Sequence, residues 1–532
     1  MFGPLFGKGG LPHSRGRMSS WWRPRPSKPF EGRVNPVLAG FDSQTLPLST
    51  LHDPVRSTCP LLTHLQRGVR RTQPCGSEYL SSHPHHYATA ERLIPLSFLL
   101  LIVVGTVLLL LPGSTTAGIG VVDALFTATS AVCVTGLSVL DTGTGFTLFG
   151  QWVILLLIQA GGLGIMTLSI GFLYLVAGRV SLFNREVLED SLSLGPVRGL
   201  LPLLLQVLRM TLVIEGLGAV LLTARFLFDL PPGKAAFAGL FHSVSAFCNA
   251  GFALQPDSLV PWRDDLWVNT VVMVLVTCGG LGFLVLSEVW SWWRTGRTTR
   301  LSLGTRIVLV TSGLLVVLGA LAFLVLEWNR SLDVEHWTRI PAVMLHSLFQ
   351  SVTCRTAGFN TVPLDALSAP TYLMLILLMG IGASPASSGG GIKTTTFAVL
   401  LAHLRSRFLD RPDTELGGRR IPEATVSRAV TIVIFSVTVI AAGSLLLLIS
   451  ESKGMSSMEE SRLFLQVVFE SVSAFATVGL STGLTPGLTP VGKLLVVLLM
   501  FIGRIGPLAL ALAIGKRRKP GYRLASGSVM VG

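Results

Sequence analysis

Four stretches of the sequence repeat one pattern, in which a phenylalanine is followed by small and hydroxyl-bearing residues and then by a glycine. They are Phe126-Thr-Ala-Thr-Ser-Ala-Val-Cys-Val-Thr-Gly136-Leu137, Phe241-His-Ser-Val-Ser-Ala-Phe-Cys-Asn-Ala-Gly251-Phe252, Phe349-Gln-Ser-Val-Thr-Cys-Arg-Thr-Ala-Gly358-Phe359 and Phe469-Glu-Ser-Val-Ser-Ala-Phe-Ala-Thr-Val-Gly479-Leu480. Aligned on the glycine, the second and fourth are identical at Ser-Val-Ser-Ala-Phe, and the third has its Ser-Val-Thr displaced by one residue. The glycines are 115, 107 and 121 residues apart. Recurrence at this spacing indicates one structural unit used four times.

Eight apolar runs accompany these stretches, two to each. Half of the 532 residues are hydrophobic and 13% are charged, against about a quarter charged in soluble domains. The runs cover residues 93–112, 152–177, 203–228, 267–290, 307–326, 371–382, 429–449 and 491–514. About 20 apolar residues span a bilayer, and the sixth run alone falls short. The pattern argues against a soluble domain and predicts eight membrane-spanning helices.

Each unit is predicted to be a helix–pore loop–helix repeat. A short helix re-enters the membrane between the two apolar runs, over about 123–133, 237–248, 342–354 and 464–475. Irregular backbone at membrane depth is stable only where it is buried in protein or lines a watery cavity. We therefore expect an all-α polytopic membrane protein whose four repeats surround a pseudo-fourfold pore. The predicted divisions are a disordered basic tail (1–88), repeat 1 (89–180), repeat 2 (200–296), repeat 3 (304–408, with an intramembrane loop at 380–393), repeat 4 (426–515) and a second basic tail (516–532).

The positive charge is unevenly placed along the chain. The net charge is +14, and segments 179–200, 294–306, 403–428 and 516–532 hold 18 Lys and Arg. The alternate segments, 113–148, 229–266, 327–371 and 450–489, hold 7. Lys and Arg collect on the cytoplasmic side of a membrane. The charge thus predicts a multi-pass protein of the plasma (inner) membrane with both termini cytoplasmic, and it does not indicate a nucleic-acid partner.

The sequence offers no catalytic or metal-binding constellation. Its six cysteines show no CxxC and no Cys/His ligand spacing. An intramembrane protease would need a nucleophile with a histidine base, an HExxH motif or paired aspartates, and the apolar runs contain none of these. No apolar segment precedes residue 91, so a cleaved signal peptide is not expected. The chain is predicted not to be an enzyme and to bind no cofactor.

The turns that end the short helices are small and mostly uncharged. Backbone carbonyls can hold a dehydrated cation where glycine lets the chain adopt conformations closed to other residues. The C-terminal ends of the short helices would add a negative dipole. The predicted ion-binding filter consists of Val134, Thr135, Gly136, Asn249, Ala250, Gly251, Thr356, Ala357, Gly358, Thr477, Val478 and Gly479.

Taken with further motifs, the repeats resemble those of the Trk/Ktr/HKT superfamily of potassium transporters. The resemblance covers about residues 90–515 and includes Ile158-Gln-Ala-Gly-Gly-Leu-Gly-Ile-Met-Thr167, Gly391-Ile-Lys-Thr-Thr-Thr396 and Phe501-Ile-Gly-Arg-Ile-Gly-Pro507. Within the superfamily the chain is most similar to the KtrB membrane subunits, because it lacks the extra pair of N-terminal spanning helices of TrkH proteins.

This resemblance implies potassium uptake. Glycine in all four filter turns is typical of potassium-selective members, whereas serine in the first is associated with sodium transport. It also implies K⁺ as the transported ion, with Na⁺ as a candidate coupling or activating ion, a homodimer in the lipid bilayer, and a KtrA-like cytoplasmic ring that binds ATP or ADP. A sodium-permeable or mixed-cation member of the superfamily is the alternative.

The sixth apolar run is interrupted at Met379-Gly-Ile-Gly-Ala-Ser-Pro-Ala-Ser-Ser-Gly-Gly-Gly-Ile-Lys393. Helix is disfavoured there by about 1 kcal/mol per Gly and about 3 kcal/mol for Pro, so the stretch is predicted to be an unwound loop below the filter. It resembles the superfamily's gating loop, to which a membrane-embedded arginine, here Arg504, is joined. A simple packing kink is the alternative for the loop, and a purely structural ion pair is the alternative for Arg504. The predicted gate residues are Gly382, Ser384, Ser387, Ser388, Gly389, Gly390, Gly391, Lys393 and Arg504.

Three further charged residues fall near the predicted pore. Arg355 interrupts the neutrality of the third turn and is expected to point its guanidinium away from the pore. Glu470 and Glu215 are each candidates to stabilise a filter turn by accepting backbone N–H bonds, with a buried structural pair as the alternative for Glu215.

Overall fold

The computed structural model describes residues 90–164, 200–294, 296, 300–328, 340–452 and 457–506, and these are mostly helical. Helices of three kinds recur in the same order. The first helices are α1 (Ala90–Leu109), α5 (Leu200–Phe226), α9 (Leu303–Glu327) and α13 (Glu423–Glu451). The short helices are α2 (Val121–Val132), α6 (Pro232–Phe247), α10 (Ile340–Thr353) and α14 (Ser457–Ala476). The return helices are α4 (Leu148–Gly162), α7 (Leu266–Leu281), α11 (Ala369–Gly380) and α15 (Pro490–Ile505).

Smaller elements join these helices. They are α3 (Thr142–Gly145), α8 (Phe283–Arg294), α12 (Thr394–Phe408), the strands β1 (Glu415–Leu416) and β2 (Arg419–Arg420), and 3-10 turns at Val260–Trp262, Leu364–Ala366 and Thr485–Gly487. The two strands form an antiparallel hairpin. Nothing is described for the predicted tails 1–88 and 516–532, or for the parts of the second and eighth apolar runs at 165–177 and 507–514.

Polar caps start several return helices. The Thr147 hydroxyl accepts from the Gly150 amide before α4, and Thr489 does the same for Gly492 before α15. Asp265 accepts from Trp267 and a neighbouring amide at the start of α7. These side chains satisfy amide donors that have no partner inside the helix, so α4, α7 and α15 each have a defined beginning despite their apolar sequences.

Among the described residues, three helices are long and apolar enough to cross a membrane. They are Leu205–Phe226, Leu303–Glu327 and Glu423–Glu451, and a fourth span is formed if the bent pair Leu266–Leu281 and Phe283–Arg294 counts as one. The apolar helices Pro95–Leu109, Val121–Val132, Leu148–Gly162 and Ala369–Gly380 are shorter. The helical fold class is confirmed, and the count of eight spans stays a prediction.

Return helices end at glycines inside apolar runs that were predicted to form continuous helices. The predicted continuous helix over 267–290 is wrong, because α7 and α8 meet at Gly282 at an angle of 104°. Gly282 has a left-handed φ of 84°, and Gly164 and Gly506, which follow α4 and α15, have φ values of 68° and 89°. Glycine adopts this conformation without steric cost. The interruption predicted for the third repeat is present, since α11 ends at Gly380 and α12 begins at Thr394.

The core is built around the phenylalanine that begins each of the four sequence stretches. Phe126, Phe241, Phe349 and Phe469 are at most 2% exposed. Each lies in an apolar cluster that draws on more than one repeat; for example, Phe126 and Phe241 share a cluster with Val496 of α15. Packing of this kind joins neighbouring repeats into one body and places the four turns near one another.

Candidate functional site: a ring of four turns

The four turns that follow the short helices share one backbone conformation. In each, the glycine and the residue two positions before it have positive φ: Val134 (56°) and Gly136 (94°), Asn249 (60°) and Gly251 (68°), Thr356 (72°) and Gly358 (80°), Thr477 (51°) and Gly479 (91°). For β-branched residues such as valine and threonine, positive φ is a rare and unfavourable conformation. Three of the turns therefore hold strained backbone, which is a common property of functional sites.

Hydroxyl groups of the short helices hold these turns in place. The Ser130 hydroxyl accepts from the Gly136 amide at 3.1 Å, and Ser473 accepts from Gly479 at the same distance. In the second turn the Ser245 hydroxyl donates to the carbonyl of Phe252 at 2.8 Å. A serine six residues before the glycine thus provides the hydroxyl that fixes the first, second and fourth turns.

The third turn is shorter by one residue, which explains its displaced sequence pattern. Its hydroxyl is that of Thr353, which donates to the Phe359 carbonyl at 2.5 Å. The amide of Ala357 bonds to the carbonyl four residues back, whereas Thr135, Ala250 and Val478 each bond five residues back. The same closed turn is therefore made with one residue fewer.

The four glycines form a closed ring. A Cβ placed on Gly251 would lie 2.8 Å from the carbonyl oxygen of Ala357, directly before the next glycine. A Cβ on Gly136 would meet the Ala250 oxygen, one on Gly358 the Val478 oxygen and one on Gly479 the Thr135 oxygen. The contacts run from turn 1 to 2, 3, 4 and back to 1. All twelve predicted filter residues are thus brought together, and any side chain at the glycines would collide with a neighbouring turn.

The ring offers neutral oxygen atoms to a cation and carries no ionisable side chain. Among its residues, Thr135, Asn249, Thr356 and Thr477 are fully buried and no residue is ionisable. The side-chain amide of Asn249 and the hydroxyl of Thr356 hydrogen bond at 3.2 Å, which joins turns 2 and 3. Four inward-meeting turns with neutral oxygens can replace the water around a dehydrated monovalent cation.

The loop between α11 and α12 lies directly against the turns. The Gly390 amide donates to the Thr477 hydroxyl at 3.0 Å, and the Ser388 hydroxyl donates to the Phe247 carbonyl at 3.3 Å. A Cβ on Gly389 would meet the Thr356 side chain. The loop therefore touches residues of turns 3 and 4 and the end of short helix α6.

The loop is also tied to the end of α7 and to itself. The amides of Ser384 and Ser388 donate to the carbonyls of Gly280 and Gly279 at 3.1 and 3.3 Å. The Ser387 hydroxyl donates to the Ser384 carbonyl at 2.6 Å. Where the two sides of the loop meet, Gly382 lies against Gly390 and Gly391, and Gly391 has a φ of 71°. The loop is a defined structure packed beneath the ring.

Two cationic side chains donate hydrogen bonds to backbone carbonyls of the loop. Arg504 is buried, and its guanidinium donates to the carbonyls of Ser388 in the loop and Gly161 at the end of α4. The Lys393 ammonium donates to the Gly389 carbonyl at 2.7 Å. The structure therefore brings together every predicted gate residue.

The other charged residues pack behind the turns. Arg355 donates to the Ser312 carbonyl of α9 at 3.3 Å, so it points to a first helix. Glu470 is buried and accepts hydrogen bonds from the hydroxyls of Ser481, at 2.7 Å, and Thr485. Glu215 accepts from the Gln159 amide at 3.1 Å and has no ion pair among the described residues. Glu470 thus binds hydroxyl groups of the segment that follows the fourth turn, and the contacts of Glu215 are neutral.

The sequence interpretation missed the register shared by the ends of the return helices. Gly161-Gly162-Leu163-Gly164, Gly279-Gly280-Leu281-Gly282, Met379-Gly380-Ile381-Gly382 and Gly503-Arg504-Ile505-Gly506 can be aligned without gaps. Arg504 occupies the position held by glycine in the other three. The shared glycines in these four segments are a sequence signal for the ends of the return helices.

Comparison with known proteins supplies the family. A family model described as "TrkH: Cation transport protein" matches residues 77–519. The chain belongs to this family. It is 38% identical over 444 residues to Ktr system potassium uptake protein B of Bacillus subtilis (strain 168), covering 84% of this chain and 97% of that protein. It is 36% identical over 446 residues to potassium/sodium uptake protein NtpJ of Enterococcus hirae, covering 83% and 97% respectively.

A solved structure agrees with the fold. The potassium transporter TrkH of Vibrio parahaemolyticus superposes with a TM-score of 0.63 at 18% identity, over 82% of this chain and 86% of that one. Membership of this family makes the chain a multi-pass membrane protein whose activity is transport, as the sequence predicted, and not catalysis.

Proposed function

We propose that the chain takes up potassium ions through the ring of four turns. The observation that carries this proposal is the closed contact of Gly136, Gly251, Gly358 and Gly479, each against the carbonyl before the next glycine. Relatives named potassium uptake proteins support the choice of ion. The chain moves K⁺ across the membrane, and the ring is the site where the ion gives up its water for backbone oxygens.

The gate in this proposal is the loop 380–393 together with Arg504. The loop lies against Thr477 and Phe247 at the base of the ring, and Arg504 joins it to the end of α4. An ion leaving the ring would meet these groups next. Displacement of the loop would have to break the bonds of Arg504 and of the Ser384 and Ser388 amides, and we assign this bonded arrangement to the closed state.

Regulation is assigned to a separate subunit. The four repeats are proposed to cross the membrane eight times with both termini in the cytoplasm, because Lys and Arg concentrate in 179–200, 294–306, 403–428 and 516–532. The Ktr system names of the relatives support assembly with a partner subunit. The proposed partner is a KtrA-like nucleotide-binding ring, and the chain is proposed to be a homodimer. The basic cytoplasmic segments are candidate contacts for that ring.

A mixed potassium and sodium transporter is the second candidate. The name of the Enterococcus hirae relative, a potassium/sodium uptake protein, favours it. The four glycines favour potassium selectivity, since they leave one uniform ring of backbone oxygens. Sodium would then be a coupling or activating ion and not the main ion transported.

Uptake of isotopes separates the two candidates. The chain is expressed in a host that lacks its own potassium uptake systems, and ⁸⁶Rb⁺ and ²²Na⁺ uptake are measured side by side, with vector-only cells as the control. We expect rubidium uptake well above the vector and little sodium uptake. Comparable uptake of both ions would support the mixed transporter, and vector-level uptake of both, with the protein present in the membrane, would contradict the proposal.

A further inference from the structure

Helix α8 (Phe283–Arg294) leaves the end of α7 at 104°. The bend is built into the packing, because a Cβ on Gly282 would lie 2.8 Å from the carbonyl oxygens of both Pro385 and Ala386. Twelve residues of helix reach about 18 Å, which is too short for the hydrocarbon core of about 30 Å. A helix nearly perpendicular to the preceding return helix runs along the membrane and not through it.

The level of α8 in the membrane follows from what comes after it. The spanning helix α9 begins at Leu303, nine residues beyond the end of α8. The Ser302 hydroxyl donates to the Glu288 carboxylate at 2.8 Å, which ties the start of α9 to α8. Since α9 must begin at a bilayer surface, α8 lies at that surface too.

Helix α8 has one face buried against the protein and another that exposes tryptophan side chains. Val285 is buried against the protein, whereas Trp290 and Trp293 are 59% and 65% exposed. The two indole rings lie beside each other with centroids 5.6 Å apart. Tryptophan concentrates at the level of the lipid headgroups, where its ring is apolar and its N–H can bond.

Arginines surround the end of this helix. Arg294 is its last residue, and Arg300 and Arg306 flank the start of α9; all three are exposed. Among the described residues no carboxylate forms an ion pair with any of them, and the carboxylate of the nearby Glu288 accepts hydrogen bonds from Ser302 and Thr305. The local charge is positive, and a bilayer surface with anionic headgroups is complementary to it.

We propose that α8 is an interfacial helix that binds anionic phospholipid, with Trp290 and Trp293 at the level of the headgroups and Arg294 and Arg300 on their phosphates. The site is separate from the ring and the loop, and the proposal does not depend on which ion is transported. Paired amphipathic and cationic residues are the usual basis of such surface binding.

Binding is tested with the purified full-length protein and dioleoylphosphatidylglycerol, with bound lipids counted by native mass spectrometry. Each arginine near an anionic surface contributes about fivefold in affinity, so Arg294→Gln/Arg300→Gln should bind the lipid about 25-fold more weakly. Arg411→Gln/Arg420→Gln removes the same charge from arginines already paired with Glu415 and Asp413, and should bind as the unaltered protein does. Equal affinity in all three proteins would overturn the proposal.

The depth of the helix is tested by fluorescence in phosphatidylcholine–phosphatidylglycerol vesicles. The difference between the unaltered protein and Trp290→Phe/Trp293→Phe isolates the emission of these two residues. We expect lipids brominated near the headgroup end of their tails to quench this emission. Quenching by aqueous iodide alone, or by neither agent, would contradict the proposal; the latter result would mean that a second copy or another protein covers the helix.

Discussion

Arg504 stands where the other return helices carry Gly162, Gly280 and Gly380, and this position explains its hydrogen bonds. The last carbonyls of a helix have no partner within it, and a cation is favoured at that end. Because α4 stops at Gly162, the Gly161 carbonyl is free to accept from Arg504, and the loop offers Ser388 on the other side. A glycine at this position has no side chain with which to bind either carbonyl.

Replacing Arg504 should open the path. Hydrogen bonds to charged groups contribute about 1.5–3 kcal/mol each. Loss of one is therefore enough to shift the equilibrium between the closed and open states by about tenfold or more toward the open state. Arg504→Gln is expected to raise ⁸⁶Rb⁺ flux in proteoliposomes at least tenfold without any partner subunit, and Arg504→Lys to raise it less. The control is Arg405→Gln, an exposed residue of α12, which should leave flux unchanged. Unchanged flux in Arg504→Gln would remove this residue from the gate.

At the scale of elements, the sequence predicted the ends of the short helices better than their beginnings. The predicted ends of 133, 248, 354 and 475 fall within one residue of the observed ends, because the small residues before each glycine mark them. The fourth short helix was expected from 464 but begins at Ser457, because its first turns are polar. The bend at Gly282 was missed, since an apolar run with glycines also fits a continuous spanning helix.

The loop is the element whose removal should change flux without changing selectivity. Deleting Ser387–Gly390 removes the Ser388 carbonyl that Arg504 binds and the Gly390 amide bound to Thr477. We expect ⁸⁶Rb⁺ flux in vesicles without a partner to rise, while the ratio of rubidium to sodium flux stays as before, because the ring is intact. That ratio is the internal control, since a misfolded leak would pass both ions. Flux that stays constant or disappears in a folded variant would mean that the loop is not the gate.

For the whole molecule, ring closure is the property that sequence could suggest but not demonstrate. The repeats predicted that four turns exist, and only the packing shows that turn 4 contacts turn 1. The closure is reinforced at the start of the first short helix, where Asp123 pairs with Lys493 of α15 at 2.7 Å. These residues are 370 apart in sequence, and no local pattern predicts their contact.

Charge reversal tests this closing contact. A partly exposed ion pair contributes up to about 1 kcal/mol, and its reversal places like charges together. Asp123→Lys and Lys493→Asp are each expected to lower the melting temperature of the purified protein by a few degrees. The double variant Asp123→Lys/Lys493→Asp should recover most of the loss, because coupled residues are not additive. If the decreases in melting temperature of the two single variants simply add in the double variant, the pair contributes nothing.

The central claim, that four glycines make one potassium-selective ring, is tested most directly by Gly136→Ser. A Cβ there would collide with the Ala250 carbonyl, so the second turn must move and its oxygen leaves the ring. The measurement is the ratio of ⁸⁶Rb⁺ to ²²Na⁺ uptake in cells without other potassium uptake systems. The control is Gly233→Ser, at an exposed position of α6 with no atom within 4 Å of the added Cβ. We predict that the ratio falls about tenfold in Gly136→Ser, which corresponds to about 1.4 kcal/mol, and is unchanged in Gly233→Ser. An unchanged ratio in Gly136→Ser, with the protein folded and transporting, would contradict the account.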